Sequence, residues 1–410
     1  MKRISVLMAT AFVDMIGYAL VFPLLPYYAL RFNAEPWVIG GLIAAFPLLQ
    51  LMVAPMWGRF SDRYGRRPAI LLGLLMSAFA FLVFSVADSI LMLFISRSVQ
   101  GIGGGTTAVV QAYVGDAIAP KDRAKAYGWL SAATAAGVVI GPVIGSLSFG
   151  LGPEYPGRIA AGLCFTSFLF AGRWLREPRP HDVPTTDPNV PAKKLAAHEG
   201  KARREAGPRR SIREVVIEVL THPGREVPRL IWIYAVGMLG FMSMAAVMSL
   251  FLKSRFGVNE RTIGLFFAYM GVLGFVMRAI VLGKAVDRFR ETRVMRAGAI
   301  SLAIGLFAIP LPTFLIGTAI VMSFVPIGTA LLFPNQLALV SFRTPNAELG
   351  QMLGVQQWFG GVARVIAPLW ATAVFQLGPS LPFFISAGVV ALMTLLAFSV
   401  KPMAVAAEAA

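Results

Sequence analysis

Apolar stretches long enough to cross a membrane recur along this 410-residue chain from one end to the other. A helical span needs ~20 mostly apolar residues to cross ~30 Å of hydrocarbon. Twelve such spans are read, at 4–30, 37–57, 69–87, 90–114, 126–149, 158–175, 229–252, 261–282, 294–311, 313–338, 350–375 and 382–400. The composition agrees: 57% hydrophobic and 14% charged residues, with a mean hydropathy of +0.71, belong to the membrane class and leave little room for a soluble domain. Met1-Lys2-Arg3 followed by an apolar run imitates a secretory leader. The run is too long, carries Asp14 and has no A-x-A site before Pro23, so it is read as the first span.

The formal net charge of +17 would point a soluble chain towards nucleic acid. Here its placement gives another meaning, and no nucleic-acid partner is expected. With the N-terminus inside, the cytoplasmic loops hold four Arg between spans 2 and 3, Lys121, Arg123 and Lys125, the basic middle segment, and Lys284, Arg288, Arg290, Arg293 and Arg296. The opposite side holds only Arg31, Arg158, Lys253, Arg255 and Arg261. That asymmetry satisfies the positive-inside rule, with weak attraction to anionic lipid as a by-product. The single cysteine, Cys164, excludes disulfides within the chain and cysteine-based metal sites. No metal or organic cofactor is expected.

Residues 177–228 are rich in Pro, Lys, Arg and Glu and read as a cytoplasmic linker between two six-helix bundles, 1–176 and 229–410. All three histidines lie in it (His181, His198 and His222). Within it, Ser211-Ile-Arg-Glu214 begins a short amphipathic helix with a capping-box start, whose apolar face is expected on the inner leaflet. The halves look duplicated. Gly58-Arg-Phe-Ser-Asp62-Arg63 matches Gly283-Lys-Ala-Val-Asp287-Arg288 at an offset of 225, as Pro120 matches Pro345. Gly128 with Gly354, and Pro142 with Pro368, match at 226. Parallel repeats of this kind are a known secondary-transporter plan, with the site near the midplane.

Four charged residues fall inside spans: Asp14, Arg97, Arg278 and Arg364. An ionisable group there costs ~2.5–3.5 kcal/mol on insertion scales and marks a functional site by default. Asp14 lies ~15 Å from the cytoplasmic end of span 1 and Arg97 ~10 Å from the outer end of span 4. Those depths let the two face each other, either as a proton-loading pair or as a structural ion pair. Arg278 is placed to snorkel to the interface. Arg364 lies ~21 Å into span 11 with no evident acidic partner. It is left to bond backbone carbonyls or an anionic substrate group. Tyr18, Gln100, Gln336, Gln356 and Gln357 supply neutral hydrogen-bonding candidates in an otherwise apolar wall.

Gly58-Arg-Phe-Ser-Asp62-Arg63-Tyr-Gly65-Arg66-Arg67-Pro68 resembles the loop between spans 2 and 3 of the major facilitator superfamily. Its two glycines permit a tight turn, and its arginines fix the loop inside. Asp14-x-x-Gly17 with Pro23 and Pro26 resembles the first span of the twelve-span drug/proton antiporters. Arg97-Ser-Val-Gln100-Gly101-x-Gly103 resembles their fourth span. Gly137-x-x-x-Gly141-Pro142-x-x-Gly145 resembles their antiporter motif, and the same glycines form a small-residue packing stripe. The resemblance covers the whole chain and is closest to tetracycline-type exporters. Two departures stand out. Ser146 replaces a second glycine, and span 9 lacks the acidic residue those exporters carry. The glycine run 101–105 is not read as a nucleotide loop, because it lies inside a span.

The resemblance implies an all-α major facilitator fold of twelve spans in two pseudo-twofold-related bundles. It also implies proton-driven export of hydrophobic or amphiphilic small molecules by alternating access, with Asp14 and Arg97 coupling to protons. In that family the loop aspartate contacts the start of span 11 and holds the cytoplasmic side shut. Here its partner would be Thr344-Pro345-Asn346. The expected setting is a bacterial cytoplasmic membrane, as a monomer with both termini inside. The alternatives are an importer, uniporter or lipid transporter for an anionic metabolite or lysolipid, a non-transporting receptor, and a merely topogenic role for the 58–68 loop.

Overall fold

The computed structural model describes residues 2–118, 120–178 and 211–400, and all regular structure there is helical. Eight helices are long and apolar enough to cross a membrane, or nine if the bent pair at the start counts as one span. Spans 4, 6 and 9 are helical too, but fall short by that measure. Span 1 is Lys2–Val21 turned by 41° into Leu25–Arg31. Pro23 lies in the turn and Pro26 in the first turn of the second piece, where its missing N–H leaves no gap. Several helices overrun the expected spans. The expected 37–57 is Pro36–Tyr64, and the expected 261–282 is the continuous rod Ile263–Phe289 with a π-helical turn at Met277–Val281.

Two compact units are present. One comprises Met1–Ala34, Ala45–Arg209 and Glu260–Ala268; the other comprises Glu35–Ala44, Arg210–Asn259 and Tyr269–Ala410. Inside the first, span 1 packs on spans 5 and 6, and span 3 packs on spans 4 and 6. Inside the second, span 7 packs on spans 11 and 12, and span 9 on spans 10 and 12. The pattern is the same, six spans on. One close crossing repeats in register as well. A Cβ on Gly73 would lie 3.1 Å from the Gly103 carbonyl between spans 3 and 4. A Cβ on Gly298 would lie 2.8 Å from the Gly328 carbonyl between spans 9 and 10, 225 residues later. Between apolar helices in lipid, association depends on van der Waals fit, so small residues sit where backbones touch.

The linker's described part forms the expected helix, Ile212–Thr221, with Ser211 and Glu214 completing a capping box. Its apolar face does not simply face lipid. Val215 and Val219 are buried in contact with spans 7 and 11, and the Trp232 indole donates to the Val219 carbonyl at 2.8 Å. Ile212, Ile217 and Leu220 remain exposed. His181 and His198 lie outside the described residues.

Candidate functional site

Asp14 and Arg97 are not brought together. Among the described residues Asp14 makes no ion pair, and the group facing its carboxylate is the Ser77 hydroxyl of span 3. One turn on, Gly17 lets span 1 close on its neighbours: a Cβ there would lie 2.8 Å from the Phe81 ring and 3.6 Å from Cys164 Sγ. Arg97, 1% exposed, spends its donors otherwise. Nη1 donates to Gln100 Oε1 three residues along its own helix. The guanidinium lies over the Tyr18 and Phe46 rings, 5.8 and 5.1 Å from their centroids, while Nε has no partner among the described residues. The depths estimated from sequence were compatible with pairing. What decided against it is lateral: a glutamine on the arginine's own helix face and two aromatic faces occupy the guanidinium.

Span 4, expected as one helix, breaks into Ile90–Gly104 and Thr107–Ala117. Two carbonyls near the break are taken by span 2. The Trp57 indole donates to Ile102 O at 2.6 Å, and the Gln50 amide to Gly104 O at 2.9 Å. A break inside a membrane is tolerated only when neighbours satisfy the freed groups in this way. The glycine run makes the approach possible. A Cβ at Gly101 would lie 2.6 Å from Phe46 O, and one at Gly105 would collide with the Trp57 ring.

The antiporter-like stripe packs on span 1. Added Cβ atoms at Gly137 and Gly141 would come within 2.8 Å of Phe12 O, Met15 Cβ, Ala19 Cβ or Ile16 O, and at Gly145 one would collide with Leu20 O. The departure at Ser146 has a use: its buried hydroxyl accepts the Gly264 N–H at 2.8 Å, close to Pro142, at the start of span 8.

The loop between spans 2 and 3 is tighter than expected. Gly58 makes no turn; it lies inside the helix, with nothing within 4 Å of an added Cβ. The turn is Gly65 alone, at φ 104° and ψ 159°. Glu177, the residue after span 6 and its Leu175-Arg176, spans the start of span 3. Its carboxylate accepts the backbone N–H groups of Arg66 at 2.5 Å and Arg67 at 2.8 Å. Arg66 pairs with Asp62 at 2.6 Å and Asp116 at 2.9 Å and donates to Ser61 Oγ at 2.6 Å. Arg67 donates to the Gly172 carbonyl at 2.5 Å, and Arg63 lies over the Tyr64 ring. Within its own unit Asp62 thus pairs with Arg66, four residues on.

In the second unit the glutamines are not equivalent. Gln336 donates to Leu230 O at 2.7 Å and accepts from Gln356 at 2.9 Å, and both are buried. That pair ties spans 7, 10 and 11 together. Gln357 is exposed and meets Tyr234 Oη at 3.4 Å, and Arg364 Nε donates to its own helix at Gly360 O, 3.3 Å away. Arg278 lies exposed in the π-helical turn. Sequence reasoning missed Ser77, Gln50, Trp57, Glu177 and Tyr234. Glu177 alone carried a readable signal, an acid directly after a span in a basic stretch.

A polytopic bundle with buried charges, a broken span and glycine-closed crossings defines a helical membrane transporter. The Major Facilitator Superfamily model matches residues 7–368 and, separately, 230–409. The chain belongs to that superfamily, and the second match falls on the duplicated half. It is 28% identical over 368 residues to the class B tetracycline resistance protein of Escherichia coli, covering 88% of this chain and 86% of that one. It is 25% identical to multidrug resistance protein 2 of Bacillus subtilis, covering 92% and 90%. The fold also matches a D-xylose-proton symporter, with a TM-score of 0.73, 16% identity and coverage of 97% and 98%.

Proposed function

We propose that this transporter exports hydrophobic or amphiphilic small molecules in exchange for protons, by alternating access between two bundles in a bacterial cytoplasmic membrane. It acts as a monomer with both termini inside. Asp14 carries the reading. It is an intramembrane carboxylate with a hydroxyl for a partner and no cation, so protonation breaks no ion pair. A proton from outside loads Asp14, the change to the inward-facing state carries it in, and its release accompanies binding of the next substrate. Arg97, held by Gln100, Tyr18 and Phe46, keeps a fixed positive charge within the same bundle. The 58–67 loop serves as the cytoplasmic gate and the span 5 stripe as a sliding surface. Similarity to tetracycline and multidrug resistance proteins supports a drug-like cargo. The absence of an acid from span 9 favours a multidrug type over tetracycline itself.

The test is Asp14→Asn in proteoliposomes with an imposed pH gradient. Uphill transport should vanish while folded protein and downhill exchange remain. If the variant still concentrates substrate against its gradient, protons are coupled elsewhere.

A further inference from the structure

Tyr234 of span 7 is seated by Gly360 of span 11. A side chain at Gly360 would collide with the Tyr234 ring, so the phenol lies flat against the span 11 backbone. Phe333 holds it from the side, edge-on at 5.4 Å. This fixes the hydroxyl beside Gln357 Oε1, at 3.4 Å, and Arg364 follows Gly360 by one turn of the same helix. Gln357, Gly360 and Arg364 recur at intervals of three and four, so they share one face of the helix. On that face Gln357 is exposed and Arg364 half-buried.

The guanidinium there is poorly used. Of its five donors, one makes a 3.3 Å bond to a carbonyl of its own helix, and no carboxylate lies within ion-pair distance among the described residues. A charge at membrane depth is retained only for a compensating role, and a planar fork of donors beside a phenol matches a planar or tetrahedral oxyanion. A cationic ligand would be repelled, and a neutral one would leave the charge unanswered.

We propose that Arg364, Tyr234 and Gln357 form an anion-recognising site that selects amphiphiles bearing an ionised acidic group. Arg364 binds the oxyanion through its free fork, the Tyr234 hydroxyl turns its proton from Gln357 Oε1 to the oxyanion, and the exposed Gln357 Nε2 donates from the third side. This deepens the export reading and rests on it for the claim that the bound molecule is cargo.

The test uses full-length protein in nanodiscs and two fluorescent probes with one ring skeleton, anilinonaphthalene sulfonate and uncharged phenylnaphthylamine. Wild type should prefer the sulfonate. Arg364→Gln should weaken the sulfonate roughly ten- to hundred-fold, the range of a charge-assisted hydrogen bond, and leave the uncharged probe unchanged. Tyr234→Phe should weaken it by a smaller factor, and Arg364→Lys should fall between. Should Arg364→Gln fail to fold, Arg364→Lys and Tyr234→Phe carry the comparison, with melting temperature measured beside each. Equal losses for both probes, or no sulfonate preference in wild type, overturn the site. Proton-driven efflux measured separately distinguishes the two readings. Efflux of uncharged amphiphiles without sulfonate preference rejects this site and keeps the exporter; sulfonate preference without proton-driven efflux does the reverse.

Discussion

The two copies of the duplicated interhelical turn share a backbone and differ in chemistry. In the first, Gly65 sits at φ 104°, ψ 159° between spans 2 and 3; in the second, Arg290 sits at φ 68°, ψ 159° between spans 8 and 9. Both precede the next helix by one residue, and both follow an arginine over an aromatic ring, Arg63 on Tyr64 and Arg288 on Phe289. Both bundles also tie the end of their last span back to an arginine. Arg67 holds the Gly172 carbonyl, and Arg296 holds Ala397, Phe398 and Val400. The acids are not shared. Asp62, Asp116 and Glu177 surround the first turn, whereas Glu291 stands where Arg66 would, and Asp287 makes no ion pair among the described residues. Duplication has kept what builds the bundle, and one copy alone has the clamped charge network suited to a gate.

Gly65→Ala breaks that contrast hardest. The conformation is one that only glycine adopts without strain, and the penalty for another residue is ~1–3 kcal/mol. The new Cβ would also lie 2.8 Å from Glu177 Oε1 and displace the carboxylate, removing a cap that contributes ~1 kcal/mol. The smaller unfolded-state entropy of alanine returns ~0.4–1 kcal/mol. A net loss of ~1–3 kcal/mol is expected, read as a fall in melting temperature in detergent. Arg290→Ala is the control and should change little, because that turn already carries a Cβ. Similar losses at both positions would mean that the first turn is not specially clamped.

Much of the fold was legible because lipid imposes a simple rule, a run of apolar residues per span. The breaks were not. Span 4 reads as continuous from Ile90 to Val114, because nothing local announces that Gln50 and Trp57, 54 and 45 residues before the carbonyls they reach, will satisfy a gap. Charged residues in apolar runs were equally plain, so Asp14, Arg97 and Arg364 were found. Their partners were not, since depth can be counted along a helix but azimuth cannot. Asp14 meets Ser77 instead of Arg97 through helix rotation, a quantity that no single segment encodes. Tyr234 was overlooked because a tyrosine in an apolar span normally packs; its significance comes from a glycine 126 residues later.

Glu177→Ala tests whether the clamp, apart from the turn, distinguishes the first copy. Two backbone N–H groups at the start of span 3 would lose their acceptor, and the site is exposed, so water replaces part of it. The expected loss is ~1 kcal/mol, with Glu177→Gln about half as severe, because an amide oxygen still accepts. Hydrogen exchange should speed up at Arg66 and Arg67 while the equivalent positions, Glu291 and Thr292, stay unchanged. Protection that is unaltered at Arg66 and Arg67 would remove Glu177 from the gate.

The smallest effect comes from making the second turn more like the first. Arg290→Gly relieves a strain of ~1–3 kcal/mol but adds unfolded-chain freedom worth ~0.5–1 kcal/mol. The two oppose, and relief should win by ~1 kcal/mol, a gain in a position where most substitutions lose. Arg290 is exposed, and no hydrogen bond from its guanidinium is recorded among the described residues, so little else is surrendered. A raised melting temperature with unchanged transport would show that the second turn serves only the bundle. A raised melting temperature with slowed transport would mean instead that the strained turn takes part in the cycle, and the division of labour between the two copies would have to be redrawn.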